Sequence, residues 1–243
     1  MKYILVIPAR YNSSRLPGKP LLDLDGKTML ERVYEKCNLA VTSELIYVAT
    51  DDIRIKNHCD SLNIQCVMTS NECLTGTDRV AEVAKLIKAD YYINIQGDEP
   101  LFNPDDIKIL IESLVHQKQK TQVFAGYCKI EEPSRFFSQN IPKVVFNNKN
   151  ELLYMSRAGI PSNKLKSFSF GYRQVCAYAF SAFSLKKFSN ETQKTLFESE
   201  EDIEILRFLE LGIKVKMIEM SNESVSVDIP EDLKEVLKTL KKC

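Results

Sequence analysis

The chain has 243 residues, 44% of them hydrophobic and 27% charged, which suits one large α/β domain with a real core. Its 33 Lys and Arg balance 33 Asp and Glu, and a formal net charge of zero excludes the broad basic footprint of a nucleic-acid or anionic-membrane binder. No run approaches the ~20 apolar residues of a membrane span, and the opening apolar run is too short for a signal peptide, so a cytoplasmic location is expected.

In chain order, Tyr3 to Ile7 reads as a buried strand closed by Pro8. Thr28 to Cys37 has helical spacing, with Thr28 as N-cap and Glu31 completing a capping box. A strand from Leu45 to Thr50, a helix from about Ile53 to Leu62 and a strand from Gln65 to Thr69 follow. Thr77 to Ile87 is helical, capped by Thr77, and Tyr91 to Ile95 is another buried strand. This alternation with short loops predicts a mostly parallel sheet with helices on both faces. Right-handed crossovers then open the loops after Ile7, Thr50 and Ile95 on one sheet edge, where chemistry is expected.

From about 121 to 190 the pattern changes: Val123 to Ile130, Lys143 to Asn147 and Gln174 to Phe180 read as strands, and Ser162 to Gly171 as a polar loop. This segment is expected to be an inserted sheet region serving as an oligomer contact, within a single domain of residues 1–243. Ser199 to Leu211 reads as helix, Lys214 to Met220 as strand and Pro230 to Lys241 as a C-terminal helix. The seven cysteines form no CxxC pair, and small buried thiols are favoured over zinc ligands or disulfides.

The loop after the first strand carries Arg10, Arg15 and Lys19 among Ser13, Ser14 and Gly18. Forked guanidinium groups, a mobile ammonium and approachable backbone N–H groups suit a bound phosphate better than a solvated basic loop. The loop is neither a Walker loop nor a GxGxxG turn. Asp98, in Gln96-Gly97-Asp98-Glu99-Pro100, is a candidate magnesium ligand, because magnesium favours one or two carboxylates plus substrate phosphates. From spacing alone Asp228, before Pro230, is either a helix cap or a second metal ligand. Asp51-Asp52 reads rather as a cap, and His58 and His116 as surface residues.

The stretches VIPARYNSSRLPGKPL, VATDD, GTDRVAEV, NIQGDEPL, PKVV, YMSRAGIP and VDIPEDL, in this order, resemble those of the CMP-Kdo synthetases (3-deoxy-manno-octulosonate cytidylyltransferases) from residue 3 to about 235. The resemblance implies a Rossmann-like nucleotidyltransferase fold and a homodimer built through the inserted sheet region. It implies that CTP lies across Ala9, Arg10, Ser13, Arg15 and Lys19, with Thr77, Arg79 and Gln96 toward the cytosine and ribose. Arg10 and Lys19 are then catalytic, and Asp98 and Asp228 hold Mg2+. The implied reaction is attack of a sugar-acid hydroxyl on the α-phosphorus of CTP, expelling pyrophosphate.

Sugar contacts are implied for Arg157, Gln174, Tyr178 and Glu204. Here the chain departs from the family: Gln174 stands for a histidine, Ser181 for an arginine and Ile205 for a glutamine. Loss of a hydrogen-bonding amide at Ile205 predicts an altered sugar preference, toward a Kdo-like or other acidic sugar such as an acylneuraminate; an ordinary Kdo enzyme with a repacked pocket is the alternative. A regulator without catalysis is disfavoured by the presence together of Arg10, Lys19, Asp98 and Asp228, and a UTP- or GTP-dependent pyrophosphorylase by the first loop, which lacks GxGxR.

Overall fold

A computed structural model describes residues 1–12, 16–117, 121–224, 226–227 and 230–240. β1 (Tyr3–Pro8), β2 (Ile46–Thr50), β3 (Cys66–Met68) and β4 (Tyr91–Ile95) form a parallel block in the order β3-β2-β1-β4. Between them run α1 (Met29–Asn38), α2 (Ile53–Ser61) and α3 (Gly76–Leu86), and after β4 comes α4 (Pro104–Val115). Because strand side chains alternate, Leu5, Ile7, Ile93 and Ile95 pack with α1, α2 and α4 on one face. Ile4, Val6 and Tyr92 pack with α3 on the other.

The second half does not form a separate sheet. β5 (Val123–Lys129) and β8 (Tyr172–Ser181) lie within the main sheet, which continues β4-β8-β5-β9, with β9 (Val215–Glu219) at its edge. β8 is antiparallel to β4 and β5, so the sheet is mixed. Only β6 (Lys143–Phe146) and β7 (Leu152–Ser156) branch away, β6 pairing with β8. The short helices α5 (Pro133–Phe137) and α6 (Ala182–Phe188) complete this half.

Three local expectations are corrected. The cap of α3 is Thr75, whose hydroxyl accepts from Asp78 N while the Asp78 carboxylate accepts from Thr75 N; Thr77 sits one turn inside with its hydroxyl buried. The single helix expected over 199–211 is two, α7 (Leu196–Glu201) and α8 (Ile205–Glu210), because Asp202 takes a left-handed φ of 51° between them. Asp is among the few residues that adopt this conformation readily. His58 is half-buried rather than superficial, its ring 2.8 Å from the Thr28 hydroxyl, which also caps α1.

Thr28 and Asp52 cap α1 and α2 as expected, but at α1 only the Thr28 hydroxyl accepts, from Glu31 N, and the expected capping box is not formed. The last helix, α9 (Pro230–Leu240), is anchored by Val236, which packs with Val227, Leu24 and Met29 in a small separate core. That core seats the C-terminal segment against the loop after β1.

Arg207 of α8 has no exposed surface and ties α7 and α3 together. It donates from Nε and Nη2 to Glu198 at 2.6 Å and from Nη1 to Asp78 at 2.9 Å, and stacks over Phe188. Removing one partner of such a buried network strands the other charges, at a cost of about 3–5 kcal/mol. Arg207→Ala is expected to lower Tm by roughly 10 °C in a chain of this size. Removal of the exposed Lys56–Asp60 pair by Lys56→Ala is expected to move it by at most about 3 °C. Equal melting shifts for the two variants would contradict this ranking.

Candidate functional site

The C-terminal ends of β1 and β4 sit side by side, as their parallel register requires. Gly97 allows their loops to touch: a Cβ there would stand 2.8 Å from the Pro8 carbonyl oxygen. The loop after β1 is closed by Gly18 N donating to Tyr11 O at 3.0 Å, and Gly18 adopts φ 69° against the Tyr11 ring. Arg54 stacks over the Tyr11 ring, its guanidinium carbon 3.3 Å from the ring centroid, holding Tyr11 in place.

These loops bound a cleft of about 400 Å³ lined by Ala9, Arg10, Lys19, Arg79, Gln96 and Asp98, with Cys73, Thr75 and Gly76 on the far wall. Ser13 and Arg15, expected here, lie outside the described residues. Lys19 donates to Asp98 Oδ2 at 2.7 Å and to the Val227 carbonyl at 2.9 Å. Val227 N in turn donates to Asp98 O at 2.9 Å. Asp228 itself lies outside the described residues. Arg79 is buried and held from two loops, 3.2 Å from Asp51 Oδ2 and 2.5 Å from Thr69 Oγ1. Thr77 does not line the cleft; only its N–H is used, donating to Glu204.

A second, wider cleft of about 600 Å³ opens from the first, sharing Arg10, Thr75, Gly76 and Gln96 with it. Arg157, Gln174, Tyr178 and Glu204 all line it. Their commitments differ from expectation. Glu204 accepts from Thr77 N at 2.9 Å and from Gln96 Nε2 at 3.0 Å, so it orients the glutamine shared by both clefts. Gln174 donates to the Tyr178 hydroxyl, and both are buried. Arg157 is largely spent on main-chain carbonyls: Glu201 at 2.5 Å, Asp202 at 3.0 Å and Gln139 at 3.1 Å.

Two departures that sequence placed in the sugar pocket are elsewhere. Ile205 has no exposed surface and belongs to the core beneath α8, so it leaves no hydroxyl unpaired. Ser181 is buried at the start of α6, capping it and donating to Gln122. Of the three substitutions only Gln174 faces the cleft.

Sequence reading missed Arg173, Glu99 and Ser224, which line the wider cleft. Arg173 donates to Asn222 Oδ1 at 3.0 and 3.2 Å and to Ser224 O at 3.1 Å. Asp106 accepts from Ser221 N at 2.9 Å and its hydroxyl at 2.7 Å. Together they fix Ser221, Asn222 and Ser224, the last of which lines the wider cleft. Glu99 is 3% exposed and accepts a hydrogen bond from Ser224 Oγ. Burial pushes its carboxyl up to about 7, helped by the Asp98 charge and opposed by Ser224 and Arg173.

Comparison with known proteins matches a family model described as Cytidylyltransferase over residues 4–218. A 3-deoxy-manno-octulosonate cytidylyltransferase of Protochlamydia amoebophila is 40% identical, covering 95% of this chain and 91% of its own. An 8-amino-3,8-dideoxy-manno-octulosonate cytidylyltransferase of Shewanella pealeana is 38% identical, covering 96% of each. A solved CMP:2-keto-3-deoxy-manno-octonic acid synthetase complexed with CTP superposes with a TM-score of 0.91 at 34% identity, over 100% of this chain and 99% of that one.

The Glu99 geometry gives a pH test. The folded chain holds this proton more tightly than the unfolded chain, whose carboxyl has the ordinary value of 4.5. Stability from this group is therefore present in acid and lost as pH rises from 4.5 to about 7, by about 3 kcal/mol. In magnesium-free buffer Glu99→Gln is expected to lack that fall, so its Tm relative to wild type rises between pH 5 and 8. Parallel melting profiles would rule out the buried titration.

Proposed function

The chain belongs to the cytidylyltransferase family, and on that premise we propose that it couples CTP to 3-deoxy-manno-octulosonate or a close 2-keto-3-deoxy sugar acid. The nucleotidyltransferase fold and class follow from the family match and from the superposition. The observation that carries the acceptor reading is the junction of two clefts at Arg10 and Gln96, one suited to a triphosphate and the other to a polyhydroxylated acid. Full-length similarity to octulosonate cytidylyltransferases supports the same acceptor. Gln174, as the one pocket departure, supports a modest retuning rather than a different sugar.

In the proposed reaction an acceptor hydroxyl oxygen attacks the α-phosphorus, the α–β phosphoanhydride breaks, pyrophosphate leaves and the hydroxyl proton passes to solvent. Arg10 lies where the clefts meet, so its guanidinium can bridge the acceptor and the α-phosphate. Lys19, bonded to Asp98 just past the end of β4, counters charge gathering on the phosphates. Gln96, fixed by Glu204, keeps its amide oxygen available between the nucleotide and the acceptor. No side-chain nucleophile is required.

The donor set fits a magnesium ion. Asp98 offers a hard oxygen at the cleft, and its backbone is paired to Val227, the residue before Asp228, so oxygen ligands from both segments are the chemistry this metal prefers. Bound there with the triphosphate, the ion would neutralise phosphate charge and orient the leaving group. Among the described residues no helix is long and apolar enough to cross a membrane. A homodimer is part of the proposal: Phe137, Leu153, Leu165 and Phe170, all in the segment expected to make the contact, are more than half exposed.

The test is CTP-dependent pyrophosphate release with 3-deoxy-manno-octulosonate as acceptor. Asp98→Asn and Lys19→Ala are each expected to lower kcat by about 10²–10³-fold, the usual loss when one preorganised electrostatic group is removed. Full activity in Asp98→Asn would overturn the metal assignment, and no release by wild type would overturn the acceptor.

A further inference from the structure

Beyond the wider cleft lies a third, smaller pocket of about 250 Å³. It is continuous with the acceptor cleft, sharing Asn140, Ile141, Arg173, Ser224 and Ser226 with it. It shares no lining residue with the nucleotide cleft. The three spaces are therefore joined in succession, the nucleotide cleft to the acceptor cleft at Arg10 and Gln96, and the acceptor cleft to this pocket at Asn140, Ile141, Arg173, Ser224 and Ser226.

Its wall brings together side chains from distant parts of the chain: Arg135 on α5, Asn140 in the loop before β6 and Glu235 on α9. Among the described residues these three side chains make no hydrogen bond or ion pair, although each faces the same space. Most other charged groups lining the acceptor cleft are engaged, Arg157 with carbonyls, Arg173 with the 221–227 segment, and Lys194 with Asp202. Uncommitted donors and acceptors converging on a pocket are the polar features that orient a ligand. Arg135 and Arg173 offset Asp232 and Glu235, so the pocket has no excess charge and suits hydroxyl groups rather than a phosphate or carboxylate. At about 30 Å³ per water, its volume takes a short polyol arm but not a second nucleotide.

We propose that this pocket is a subsite for the hydroxylated end of the acceptor remote from its keto-acid group, read by Arg135, Asn140 and Glu235. This rests on the acceptor reading above and adds chain length as the property the enzyme measures. The subsite shares no lining residue with the nucleotide cleft, so its loss changes acceptor KM while nucleotide binding is untouched.

The experiment compares kcat/KM for an eight-carbon 2-keto-3-deoxy acid and its six-carbon analogue, in wild type and in Arg135→Ala, Asn140→Ala and Glu235→Gln. Wild type is expected to favour the longer acceptor at least tenfold. Each variant is expected to cut that preference several-fold through acceptor KM with the KM for CTP and the Tm unchanged, and in Arg135→Ala and Glu235→Gln, whose residues do not line the acceptor cleft, with the six-carbon rate unchanged as well. The three side chains are half-buried or exposed, so the variants are expected to fold. An unchanged length preference in all three would overturn the subsite. Absence of turnover with either acceptor in wild type would overturn the acceptor reading beneath it, a distinct result.

Discussion

The ammonium of Lys19 is the point on which the site depends. It joins three segments far apart in the chain: the loop after β1 that carries it, the end of β4 through Asp98, and the C-terminal segment through the Val227 carbonyl. The Lys19–Asp98 pair is mostly shielded from solvent, with 14% and 27% of the two side chains exposed, so it is screened less than a surface pair. Much else in the region keeps these segments within its reach. Gly97 lets the two strand ends approach, Gly18 closes the loop, and the small core around Val236 presses the C-terminal helix onto that loop.

From that point the clefts follow in order. Arg10 and Lys19 collect at the parallel strand ends, where loops from β1 and β4 converge and where ligands of open α/β sheets bind. The antiparallel entry of β8 beside β4 then supplies the next wall, placing Tyr178 opposite Asn94 and Gln174 further out along the same strand. Ser224 and Ser226 line the other side, with Ser221 and Ser224 fixed by Asp106, Glu99 and Arg173 and the Val227 carbonyl bonded to Lys19. A chain of zero net charge thus concentrates local charge by topology rather than by composition.

The parallel half was legible because its strands are short apolar runs separated by amphipathic helices, and periodicity reports both directly. The β4-β8-β5 order was not, since nothing in local spacing says that a later strand inserts between two earlier neighbours. That is why residues 121–190 read as a separate sheet when most of their strand residues lie in the main one. Helices α4 and α6 and strand β7 also went unread. The break at Asp202 was hidden because a single left-handed residue does not disturb an apolar pattern. At the site, Arg10, Lys19 and Asp98 were readable from loop position and residue type, and Gln96 only through the family resemblance. Ser181 and Ile205 were misjudged because their roles depend on partners distant in sequence, the Gln122 side chain and the core under α8.

The most direct measurement is calorimetric titration of the wild-type chain with CTP, UTP and GTP, each with and without Mg2+. The account predicts that CTP binds at least tenfold more tightly than UTP or GTP, and that Mg2+ strengthens CTP binding through Asp98. Equal affinity for the three nucleotides, or CTP binding indifferent to Mg2+, would contradict it.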